Sequence, residues 1–169
     1  KTVACVLVPA GGVRLTTSAG DACEPRPSPE TICLAHGAHQ VQVLENDRFA
    51  TPRTDLFAHA LAEVVQTARP RLVLTALTDF GRELAARVAR RCRAGLIADC
   101  QDLQVDSEAR IVGECPAWGG TIVSQITFAE GWGTGFATVQ PHCCQAQIVA
   151  ASANDIQRHA IDHLPESCA

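Results

Sequence analysis

The chain has no methionine, and its only lysine is Lys1. A chain that opens on Lys1 without any Met is expected to lack its original start. A phosphate-binding P-loop needs a glycine-rich run ending in Lys-Ser or Lys-Thr, and no such run is present. Schiff-base chemistry on an interior lysine is excluded for the same reason. No Gly-x-Ser-x-Gly elbow and no HExxH pair occur. A formal charge of -4 leaves no electrostatic footprint for nucleic acid. No apolar run is long enough to span a bilayer, and no signal peptide opens the chain. The expectation is a soluble, cytoplasmic protein (mitochondrial matrix if eukaryotic) with no membrane insertion.

The 169 residues suit one domain with a real core. Nine cysteines is a high count, yet an odd number in a chain this long does not suggest a secreted disulfide scaffold. Cys5 and Cys33 sit among apolar neighbours, so most of the cysteines read as small buried hydrophobes in a reducing compartment.

Val3–Val8 reads as a buried strand, and residues 9–29, rich in Gly, Pro, Ser and Thr, as an irregular loop. Residues 28–36 suit a short helix, with Pro29 at its first position, Glu30 in its first turn and Gly37 ending it. Residues 41–44 make a second short strand. Thr54 or Asp55 caps a helix running to about residue 68, with Leu56, Phe57, Ala60, Leu61, Val64 and Val65 on one face, and Pro70 closes it. Leu72–Ala76 is nearly continuously apolar, the signature of a parallel strand covered on both faces. The next helix carries Leu84, Val88 and Cys92 on one stripe, Ala85 and Ala89 beside it, and Arg87, Arg90, Arg91 and Arg93 mostly on the solvated face.

Beyond Ile97 the pattern changes. Residues 103–105 and 111–114 read as a hairpin turning through Asp106, Ser107 and Glu108. Residues 121–128 and 136–139 read as a second antiparallel pair, joined by a turn over residues 130–135. Ser152 or Asn154 would cap a last helix ending near Leu164, before Pro165. The expected fold is α/β: a three-layer parallel sheet with helices on both faces, plus an antiparallel hairpin extension.

The turn Thr78-Asp79-Phe80-Gly81-Arg82 follows a strand and opens a helix, where α/β proteins often hold a phosphate on free N–H groups. Thr78, Gly81 and Arg82 are the weak cofactor-binding candidates. Asp79 argues for a plain cap, because a carboxylate there satisfies the amides and repels a second anion. Arg82 needs an acid or a partner. Adjacent Cys143 and Cys144, with His142, lack the spacing of zinc knuckles. His159 and His163 sit four apart on the expected last helix but have no third ligand. Cys115 and Cys143 are the candidate reactive thiols. Asp99 and Asp102 look like turn acids. No catalytic residue and no metal site is assigned.

Three stretches together resemble the N-terminal domain of the electron-transfer flavoprotein alpha subunit family. The first is Gly37-Ala38-His39-Gln40-Val41, similar to the family's "GA-x-x-V" strand entry. The second runs from Pro70 through Thr78, Gly81, Arg82, Leu84 and Ala85 to Gly95, Leu96, Ala98, Asp99 and Cys100. The third joins Pro116-Ala117-Trp118-Gly119-Gly120, similar to "RPAYGG", with Ala137-Thr138-Val139-Gln140-Pro141, similar to "ATVRPG". The match covers about residues 37–143.

The resemblance implies a fold like that of adenine nucleotide alpha hydrolases and a heterodimeric partner, the beta-like subunit. It implies FAD in the assembled complex, held by a second, C-terminal domain of the alpha subunit that this chain lacks, and AMP on the partner. The chain would then be a non-catalytic scaffold supporting electron transfer between a flavin dehydrogenase and an acceptor, with interface residues Trp118, Gly119, Gly120, Trp132 and Gln140. Cys115 and Gln140 stand where the family has arginine, and His142 where it has glycine. Neither replacement keeps a bidentate contact, so both positions are expected to have lost one partner, the flavin domain. Two other readings stand: a free-standing adenine nucleotide-binding module using residues 78–82 and 9–12, and a subunit whose FAD domain was removed or is encoded on another chain.

Overall fold

The computed structural model describes residues 2–8, 27–149 and 155–166. Most of the loop over residues 9–29 lies outside them, as do Ser152, Asn154, Cys23 and Cys168. In chain order the elements are β1 (Val3–Val8), α1 (Pro29–Ala35), β2 (Gln40–Glu45), α2 (Thr54–Ala68), β3 (Leu72–Ala76), α3 (Asp79–Cys92), β4 (Gly95–Cys100), β5 (Asp102–Val105), β6 (Ile111–Ala117), β7 (Ile122–Thr127), β8 (Gly135–Val139) and β9 (Ile156–Ala160). They form two compact units, one from Lys1–Leu56 and Ala146–Glu166, the other from Phe57–Gln145, with the boundary inside α2.

In the first unit, β2 lies between β1 and β9, parallel to both. α1 starts as its sequence dictates. The Ser28 hydroxyl accepts from the Thr31 N–H at 3.3 Å, Pro29 needs no partner for the N–H it lacks, and the chain leaves through Gly37 at φ +92°. The core here is Val8, Leu34, Val41 and Val43. Glu30 on α1 is buried, and its carboxylate meets Arg158 on β9 at 2.8 Å; the same guanidinium reaches Glu45 on β2 at 2.5 Å. A backbone hydrogen bond, aided by Ser28 and Arg158, holds the Glu30 carboxyl below its usual value.

The last helix expected from residues 152–164 is therefore corrected: residues 156–160 are a strand. β2 offers a free edge whose backbone groups need partners, and β9 supplies them from Val41↔Ile156 to Glu45↔Ala160. Gln40 donates to the Asp155 carboxylate at 2.6 Å, and Arg158 forks between two acids, so side chains fix the register that hydrophobic patterning does not. Arg48 then ties down the following segment by donating to the carbonyls of Leu164, Pro165 and Glu166.

In the second unit, a parallel sheet runs in the order β3-β8-β4, and an antiparallel sheet in the order β5-β6-β7. α3 packs on the parallel sheet through Leu84, Ala85, Val88 and Ala89, all buried. The hairpin of β5 and β6 forms as expected. The second expected pair does not. β7 pairs with β6, and residues 136–139 leave for the parallel sheet, where β8 takes the central place between β3 and β4. Residues 130–135 are thus a crossing between sheets and not a hairpin turn. β8 is the buried strand, with Phe136, Ala137 and Thr138 fully enclosed. β3, expected to be covered on both faces, is an edge strand and leaves Leu74 exposed. The fold is nonetheless the α/β class expected, parallel sheets with helices plus an antiparallel extension.

Candidate functional site

The carboxyl ends of parallel strands are where open α/β sheets gather ligands. At that end of the β3-β8-β4 sheet lie Thr78, Gly81, Arg82, Asp99 and Gln140. The chain leaves β3 with Leu77 N–H donating to Val139 O at 2.8 Å and Thr78 N–H to Ala76 O at 2.9 Å. α3 then begins. Its cap is the Thr78 hydroxyl, which accepts from Gly81 N–H at 3.0 Å. Asp79 was expected to satisfy the amides, but it sits one position inside the helix, exposed, and contributes charge to the first turn while threonine makes the bond.

Arg82 finds its acid on β4. Its Nη2 lies 3.1 Å from Asp99 Oδ1 and 3.2 Å from Oδ2. Asp99 holds φ +62° inside a bulge where the β4–β8 register shifts between Ile97 and Cys100. Its N–H donates to the buried hydroxyl of Thr138 at 2.9 Å. The bulge thus exchanges a ladder bond for a side-chain bond and turns a carboxylate toward the helix start. Both partners are exposed, so the pair is worth about 0–1 kcal/mol. Its electrostatic effect is larger than its stability: the one cation at the helix start is answered by a carboxylate, with Asp79 adding a second negative charge. An incoming phosphate would have to displace or outbid both.

The two positions that carry arginine in the resembling family converge on Cys100. Gln140 N–H donates to Cys100 O at 2.8 Å, and Cys115 Sγ lies 3.8 Å from Cys100 Sγ. Cys115 points inward and is buried, as is Cys100, whose thiol is pushed up to about 12, first by burial. Neither is placed to act as a thiolate nucleophile. Cys143 and Cys144 are exposed, 3.6 Å apart at sulfur, and Cys143 is raised as well, by desolvation and by its neighbour. Cys5 is pushed up to about 11 by burial. No group of three metal-binding side chains occurs among the described residues. His159 and His163 do not share a helix face, because His159 lies on β9.

The five interface candidates come from three places in the second unit. Trp118, Gly119 and Gly120 make the tip of the β6–β7 hairpin, three successive residues with positive φ. Trp118 is 83% exposed, and the neighbouring edge strand β7 presents Ile122, Val123 and Ile126 to solvent. Trp132 precedes β8 and Gln140 follows it, so a five-residue strand, about 17 Å, separates them.

The turn after β8 explains a departure seen in sequence. Gln140 O accepts from Cys143 N–H at 3.4 Å, Pro141 is the second residue, and His142, the third, has φ +67°. That is the pattern of a type II turn, whose third position favours glycine. Restoring glycine relieves about 1–2 kcal/mol of left-handed strain and returns about 0.4–1 kcal/mol through the more flexible unfolded chain. His142→Gly is expected to stabilise by about 1 kcal/mol and raise Tm by roughly 3 °C in a thermal melt. A lower Tm would show that the imidazole makes a stabilising contact.

The chain matches the family described as "ETF: Electron transfer flavoprotein domain" over residues 18–164. It is 34% identical over 110 residues to the electron transfer flavoprotein subunit alpha of Megasphaera elsdenii, covering 64% of this chain and 32% of that one. It is 32% identical over 137 residues to Protein FixB of Rhizobium meliloti, covering 80% and 38%. It is 34% identical over 107 residues to the lactate dehydrogenase (NAD(+),ferredoxin) subunit LctC of Acetobacterium woodii, covering 63% and 25%. The match thus spans a quarter to about two fifths of these relatives' length. No helix among the described residues is long and apolar enough to cross a membrane.

Proposed function

The chain belongs to the electron transfer flavoprotein family, and on that premise we propose that it serves as the non-catalytic scaffold portion of an alpha-type subunit. Its 169 residues would act as one domain, supporting electron transfer between a flavin dehydrogenase and an acceptor. FAD would be held in the assembled complex outside this stretch, and AMP, if present, on the beta-like partner. The observation that carries this reading is the self-satisfied start of α3. Thr78 occupies one of the free amides, Asp99 answers Arg82, and Asp79 adds negative charge, so the chain's own groups compete with an anion at the usual nucleotide corner.

Partner contact is assigned to the exposed tip residues Trp118, Gly119 and Gly120, with Trp132 and Gln140 as further contacts. A large exposed aromatic beside glycines permits close backbone approach. The test combines two measurements on the purified chain. After desalting, flavin absorbance is expected to be far below one FAD per chain. Mixed with a beta-like subunit, the chain is expected to elute as a heterodimer, and Trp118→Ala to weaken that association by about tenfold or more. Stoichiometric flavin on the isolated chain would overturn the scaffold reading. Calorimetry with AMP and ATP separates it from the free-standing nucleotide module, which requires saturable heat that Thr78→Ala or Arg82→Ala abolishes.

A further inference from the structure

At the opposite, amino-terminal end of the β3-β8-β4 sheet lies a cavity of about 450 Å³. It is framed by the ends of α2 and α3 and by the crossing into β8: Val65 and Ala94 give apolar wall, Trp132 an indole, Thr134 a hydroxyl, and Arg69 and Arg93 two guanidiniums. No carboxylate lines it. We propose that this cavity binds a small planar aromatic anion, a ring bearing a phosphate or carboxylate.

α3 ends in a Schellman motif: Arg93 N–H donates to Arg90 O at 3.3 Å, Ala94 N–H to Ala89 O at 2.8 Å, and Arg93 is left-handed at φ +51°. α2 ends in the simpler left-handed cap, with Arg69 N–H donating to Val65 O at 2.9 Å and φ +44°. Glycine is the low-strain residue at both positions, and arginine is strained there. Both helices accept that strain with the same side chain, on the same cavity. The helix dipole does not account for it in α3, because Arg90 and Arg91 already place two cations in the last turn.

Neither exposed guanidinium forms an ion pair among the described residues, and nor do Arg71, Arg90 and Arg91; what distinguishes Arg69 and Arg93 is that both line one pocket without a carboxylate, whereas Arg82, Arg87, Arg110 and Arg158 are each held by an acid. Two full positive charges also outweigh the partial negative charges of the two helix ends. The volume falls in the small-ligand range. Trp132 is half-exposed, and its Nε1 passes 3.5 Å from where a Cβ on Gly95 would stand, so a glycine lets the indole lie low beside the opening. A ring can stack on that indole while its anionic group meets the guanidiniums, and Thr134 supplies a hydrogen bond.

Calorimetry on the full chain tests this with three probes: 1-naphthyl phosphate, 1-naphthol and inorganic phosphate. The first is expected to bind at one site, about tenfold or more tighter than either half-molecule alone, and more weakly as salt rises. Arg93→Gly and, separately, Arg69→Gly are expected to reduce that affinity about tenfold while raising Tm by about 2 °C, because each relieves a strained cap. Trp132→Ala is expected to erase the preference for naphthyl phosphate over inorganic phosphate. No saturable heat with about 5 mM naphthyl phosphate, or unchanged affinity in both glycine variants, would overturn the proposal. Higher Tm with unaltered binding would reduce these arginines to ordinary helix ends.

Discussion

Replacing Gly81 with alanine is expected to cost about 3 kcal/mol or more, the upper end of what an added methyl does in a tight site. A Cβ there would collide with the carbonyl oxygen of Ala76 and lie 3.2 Å from Thr78 Oγ1. The first obstacle is backbone, the end of β3, so no side-chain rotation relieves it. The glycine is needed for close approach, since its φ is not in the left-handed region. Helix α3 starts so near the strand it follows that only a hydrogen fits between them. Urea unfolding of Gly81→Ala against Thr78→Ala makes the comparison. The threonine variant loses one cap bond and should cost about 1 kcal/mol. If both lose equal stability, the start of α3 has room that its geometry denies.

Phe136→Ala is expected to be the other severe change, about 3–5 kcal/mol. Phe136 is fully buried in the central strand of the parallel sheet, facing Val73 on β3 and Leu96 on β4 in register. Removing the ring opens a cavity between two neighbours held apart by their own ladders. A domain of this size has about 5–15 kcal/mol in total, so the variant should approach the unfolding threshold. Its urea midpoint should fall at unchanged slope if the fold is retained. A loss below about 1 kcal/mol would mean that the sheet closes over the gap.

The elements legible in the sequence were those whose boundaries are local. α1, α2 and α3 carry local signals, Pro29 at the first position of α1, polar Thr54 and Asp55 at the start of α2, the Thr78-Asp79 turn before α3, and the 3.6 period after each, although the cap of α3 is Thr78 and not the expected Asp79. β3 and the β5–β6 hairpin were legible for the same reason. Two strands were not placed correctly, because what decides them lies elsewhere in the chain. Residues 136–139 form a short apolar run that fits any strand, and the glycine-rich stretch before them imitates a hairpin. Only the vacant middle between β3 and β4 makes β8 parallel. Residues 156–160 show no alternation because all five are exposed. Their state is set by the edge of β2 and by Arg158 meeting Glu30 and Glu45.

The candidate site divides the same way. That Arg82 needed an acid follows from its position in the first turn. That the acid is Asp99, seventeen residues on and turned by a bulge, depends on the hydroxyl of Thr138. The left-handed arginines were unreadable. Arg69 before Pro70 and Arg93 before Ala94 look like solvated helix ends, and nothing in the letters distinguishes a strained cap from a frayed one. The residues around Trp132 looked like one end of a hairpin because the crossing they form was not recognised.

The first unit is assembled from two stretches of chain with 89 residues of another unit between them, Phe57–Gln145. During synthesis, β1 and β2 emerge early and must wait with one edge open. Their third strand arrives only after the intervening unit has been made, and that unit has every partner it needs as soon as it emerges. The expected order of folding therefore inverts the order of translation, with the middle setting first and the beginning last. The exposed β2 edge is then a point of delay, and a nascent chain arrested before residue 156 should be the form that a chaperone or a second copy captures.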